Sequence, residues 1–91
     1  MPGEFRNLRK ETVAAQLSFL DTELKTGLTF ARLALTATDP QKISRNLSNA
    51  RKAYETIIDY LADLPPQAPG LDGIRERLNV LQEMIQSAEK I

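Results

Sequence analysis

The chain has no cysteine, no histidine and no tryptophan in 91 residues, and only two tyrosines and three phenylalanines. Without cysteine there is no disulfide framework, no thiolate nucleophile and no zinc site of the Cys type. Without histidine the usual general base near neutral pH is missing, as are His-ligated metals and haem. No glycine-rich phosphate cradle and no G-x-S-x-G nucleophile elbow occurs either, so no residue is assigned a catalytic, cofactor-binding or metal-ligating role. Long apolar runs are also lacking. The most apolar stretch, residues 28–37, is interrupted by Arg32 and falls far short of the roughly 20 residues that span a bilayer. The first residues, Met1-Pro2-Gly3-Glu4-Phe5-Arg6, show neither the apolar core nor the cleavage site of a secretory signal, so a cytoplasmic location and no membrane association are expected.

What is present is helical spacing. Ile43, Leu47, Ala50, Tyr54, Ile57, Leu61 and Leu64 recur at steps of four and three, the signature of one narrow apolar stripe on a helix. Asp39-Pro40 marks its start, an N-cap acceptor followed by a residue whose missing N–H costs nothing in a first turn. Pro65-Pro66 and Pro69-Gly70 close it. Leu71, Ile74, Leu78, Leu81, Ile85 and Ala88 repeat the pattern, with Asp72 expected as the cap. Earlier, Val13, Leu17, Leu20, Leu24, Leu28, Ala31 and Leu35 form a third stripe reaching back toward Leu8 and Phe5.

A single all-α domain follows, an up-down-up three-helix bundle with helices at about 4–38, 40–64 and 71–90. Gly27 leaves one point open. Either it admits the close approach of a neighbouring helix, or it kinks the first helix and makes four helices of three. A chain of this size buries only about 60–65% of its unfolded surface, so one continuous core must serve the whole molecule.

The first helix would then overhang the second by about a dozen residues, at roughly 1.5 Å each. Leu64, Pro65, Pro66 and Leu71 could fold over Leu8 and Val13 there, or the overhang could pair with another chain, including a second copy. The second half of the same helix is apolar around most of its circumference, which fits packing between two neighbours or an open groove for a partner helix.

Charge is balanced overall, 12 Lys/Arg against 12 Asp/Glu, but segregated: the sum is −1 over residues 1–24, +5 over 25–52 and −4 over 53–91. Lys42, Arg45, Asn49 and Lys52 share one helical side, which continues into Asp59 and Asp63. Carboxylates in the last turns of a helix face an unfavourable dipole, and Arg6, Arg9 and Lys10 of the overhang are the expected counter-charges. Glu55, Asp59 and Asp63 lack the Glu-x-x-His companions of di-metal bundles. The candidate partner-binding residues are Arg32, Lys42, Arg45, Lys52, Tyr60, Phe5 and Leu8.

Gly27-x-x-Phe30 on one helix, Ala50-x-x-x-Tyr54 on the next and the closing Pro65 resemble the helical hairpin of tetratricopeptide repeats. The same region is similar to the three-helix domains of the MIT type. No second copy of the hairpin follows. The resemblance implies a peptide-binding or scaffolding role and supplies no binding residues. The expected function is thus a non-enzymatic protein–protein interaction or oligomerisation module, with a protein partner or a homodimer through the N-terminal part of helix one. Weak, salt-sensitive nucleic-acid binding through Lys42, Arg45, Lys52 and Arg32 is one alternative, although no aromatic residue interleaves those cations. A self-contained structural domain is the other.

Overall fold

The computed structural model describes residues 12–90. Three helices follow one another: α1 over Val13–Thr36, α2 over Pro40–Asp63 and α3 over Leu71–Glu89. Each packs against the other two, most extensively α1 against α2 and least extensively α2 against α3. The described residues therefore form the all-α, three-helix bundle that the three apolar stripes predict, with a long first helix of 24 residues that α2 equals in length.

Local chemistry sets the ends. Thr12 is extended, at φ −153° and ψ 143°, and its hydroxyl accepts a hydrogen bond from the Ala15 N–H at 2.8 Å. It is the N-cap of α1, so the helix expected from about 4 to 38 does not run through residue 12. The remainder of that expectation, with Phe5 and Leu8, lies outside the described residues. At the other end Ala37 is extended, and the α1–α2 connection is only three residues long, which turns the two helices antiparallel.

Asp39 caps α2 as expected, its carboxylate accepting from the Gln41 N–H at 3.0 Å with Pro40 in the first turn. Asp72 does not cap α3. The cap is Gly70, at φ +84°, a left-handed conformation that favours a residue without a Cβ. Asp72 instead lies inside the first turn, where its charge faces the positive end of the helix dipole.

The core is formed by the predicted stripes. Leu20 and Leu24 of α1, Ile57 of α2 and Leu81 of α3 are its largest fully buried side chains, and Leu64 and Leu71 are buried on either side of the proline-rich connection. Pro65 and Pro66 themselves stay exposed, whereas Val13 packs against the core. Helix α1 is continuous through Gly27, which is buried. A Cβ built there would stand 3.1 Å from Ala53 Cβ of α2 and 2.9 Å from Leu81 Cδ2 of α3, so the glycine serves close approach and no kink divides the helix. Of the apolar residues in the second half of α1, Ala31 and Ala34 are buried, Leu28, Phe30 and Leu35 are half-buried, and Leu33 is left 46% exposed.

Candidate interaction surface

Lys42, Arg45 and Lys52 are exposed on α2, and none of them makes an ion pair among the described residues. Arg32 is exposed on α1. It follows Asp21 by three helical turns and so continues the side of α1 on which Asp21 meets α3. Arg32 thus shares an end of the bundle with the α2 cations but faces a different way. Tyr60 lies toward the opposite end. Its ring packs on Phe19 of α1 with centroids 4.6 Å apart and planes inclined by 33°, a tilted aromatic pair that holds it as a half-buried flank of the core. The expected pairing of Arg6, Arg9 and Lys10 with the carboxylates of α2, like the candidate roles of Phe5 and Leu8, falls outside the described residues.

Seen along its axis, α2 carries a second stripe opposite the buried one. Gln41, Arg45, Ser48, Lys52, Glu55, Asp59 and Ala62 follow one another at steps of four and three, and all seven are exposed. Ile58, one turn from both Glu55 and Ala62, is 42% exposed beside them. The charges on this stripe run positive, positive, negative, negative from the N-terminal half to the C-terminal half. That order is the reverse of what the helix dipole favours: α2 has no acidic residue in its first turn and no basic residue in its last.

Three other cations of the bundle, Lys25, Arg51 and Arg77, are paired. Arg77 of α3 donates to Asp21 of α1 at 2.6 Å, and Lys25 reaches the other oxygen of the same carboxylate at 3.0 Å. These hydrogen bonds, that from Arg77 foremost, hold the Asp21 carboxyl below its usual range. Arg51 of α2 donates through Nε and Nη2 to Glu89 of α3. Neither pair could be found by periodicity, because the partners stand 56 and 38 residues apart and meet only once the helices are rotated against one another.

Near Arg51 an open groove of about 690 Å³ runs along α2, floored by Ile43 and Leu47 and bordered by Thr38, Ser44 and Ala88. It lies where α3 runs out near the level of Arg51, with Ala88 and Glu89 on its rim, whereas Ile43 lies roughly 12 Å further along α2. The length difference between the second and third stripes was the available signal for it.

Among the described residues no group of three or more acidic side chains is gathered for a metal ion, and no helix is long and apolar enough to cross a membrane. No protein-family model matches the chain, and no curated protein or solved structure is similar enough to count as a relative.

Proposed function

We propose that the protein is a non-enzymatic protein–protein interaction module that docks its partner on the outer face of α2. The observation that carries this reading is the exposed stripe itself. It is stepped like a helix-packing seam, yet among the described residues it covers nothing, and Arg45, Lys52, Glu55 and Asp59 make no ion pair there. Lys42 widens the positive half. Arg32, Tyr60 and the Gly27 contact belong to other parts of the surface or to the core.

The same stripe argues against phosphate recognition. A nucleic-acid surface gathers cations of one sign along the backbone path, whereas Glu55 and Asp59 would repel it half-way along α2.

A photo-cross-linking residue at Ser48, with the exposed Asn79 of α3 as the control position, tests the reading in cells of the native host. A discrete protein adduct at Ser48, absent at Asn79 and lost when Arg45 and Lys52 are both changed to Glu, is expected. Equal labelling at the two positions, or an adduct indifferent to those changes, overturns it.

A further inference from the structure

The charge order on α2 does more than mark a docking face; it specifies an occupant. Reversed end for end, the sequence of charges positive, positive, negative, negative becomes its own complement. We infer that the outer face of α2 docks on the same face of a second copy of this chain, with the two helices antiparallel about a dyad that passes between Lys52 and Glu55. The inference rests on the reading of α2 as the interaction face and names the partner.

The geometry follows from helix spacing. In an antiparallel pair centred between Lys52 and Glu55, Lys52 lies opposite the partner's Glu55, and by symmetry the contact occurs twice. Arg45 falls within one turn of the partner's Asp59, again twice. Ser48 and Ala62 are small enough to let the helices approach, and Ile58 adds an apolar side chain beside the acidic half. A parallel arrangement would set cation on cation and carboxylate on carboxylate. The stripe therefore selects orientation as well as partner.

The helix dipoles favour the same pairing. Within one chain Arg45 stands in the positive half of α2 and Asp59 in its negative half, so each charge opposes its own helix. Antiparallel docking carries Arg45 to the negative end of the partner's α2 and Asp59 to the positive end. An arrangement unfavourable in the monomer becomes favourable in the pair. A local conflict that association relieves is the kind of inconsistency expected at a functional surface. Exposed ion pairs contribute little each and are screened by salt, so the association is weak and strengthens as ionic strength falls.

Purified protein tests this by sedimentation equilibrium with a charge swap. The unaltered chain is expected to dimerise at low salt, with the association constant falling about tenfold or more toward physiological salt. A variant carrying E55K and D59K and a variant carrying R45E and K52E should each be monomeric alone, because each presents one sign to itself. Their equimolar mixture should form the heterodimer. Circular dichroism melts of each variant confirm that the bundle is intact, which these exposed positions permit. A chain that stays monomeric at about 1 mM in low salt excludes the second copy. Dimerisation without recovery in the mixture excludes the α2 face. A cross-link from Ser48 to a different protein, with the purified chain monomeric, would sink this inference while sustaining the proposed function.

Discussion

Gly27 of α1 and Ala53 of α2 face each other so closely that a Cβ on the glycine would stand 3.1 Å from the alanine Cβ. The contact fixes how near the two helices can lie. Ala53 Cβ has no rotamer by which to withdraw, and Leu81, which closes the site from α3, is fully buried.

Gly27→Ala is therefore expected to destabilise the bundle despite the gain in helix propensity. The propensity term favours alanine by about 1 kcal/mol, whereas inserting a methyl group into a packed core costs about 1–3 kcal/mol. A net loss of about 1 kcal/mol in urea denaturation is expected, and a larger one for Gly27→Val. Stabilisation by alanine would show that the helices part without cost and that the close approach is incidental.

Asp21 ties α1 to α3 through Arg77, and its carboxyl is held below its ordinary range in the folded protein. A depressed carboxylate contributes stability above its unfolded value and loses it as the pH falls through the folded value. Asp21→Asn should lower the melting temperature at neutral pH, and the difference from the unaltered chain should shrink below about pH 4 and vanish once the carboxyl is protonated in both states. Melts from neutral to strongly acid pH check this. A difference that is constant with pH would mean that the carboxylate charge has no part in joining the helices.

The two aspartates beside helix starts should differ. Asp39 accepts a hydrogen bond from the Gln41 N–H, whereas Asp72 offers only its charge to the first turn of α3, whose cap is Gly70. Loss of a side-chain cap costs about 1 kcal/mol, and loss of a first-turn charge about 0.3–1 kcal/mol, reduced by salt. Asp39→Ala should thus be the more damaging substitution at any salt concentration, and the effect of Asp72→Ala should fade by the larger fraction on adding salt, because it has no hydrogen bond to retain. Chemical denaturation at two ionic strengths separates them; equal, salt-insensitive losses would contradict the assignment of Gly70 as the cap.

The inward faces of the helices were legible because periodicity alone decides them: Leu20, Leu24, Ile57 and Leu81 all belong to predicted stripes and all are fully buried. Helix ends were legible where proline or a cap stands beside a turn, as at Asp39-Pro40. Thr12 carries no such mark, since the apolar stripe continues past it toward Leu8 and no Glu or Gln three residues later completes a capping box. Pairs across helices were hidden for a different reason. How far each helix is rotated and staggered against the next depends on volumes at contacts such as Gly27 and Leu81, and it is that stagger which brings Arg77 to Asp21 and Arg51 to Glu89. The α2 surface stripe could have been read from the sequence, because it repeats the buried stripe's steps two residues out of phase.

Because α3 ends at Glu89, the first two turns of α2 are supported chiefly by α1 among the described residues. Packing on one flank gives a segment fewer buried contacts to lose, so its opening free energy lies below that of the whole domain. The Arg51–Glu89 pair then marks a boundary along α2: beyond it, backbone amides around Ile43 can be freed while the remainder of the bundle stays closed. One cooperative unit is then expected, with a fringe at the Thr38–Pro40 end that exchanges its amide hydrogens sooner.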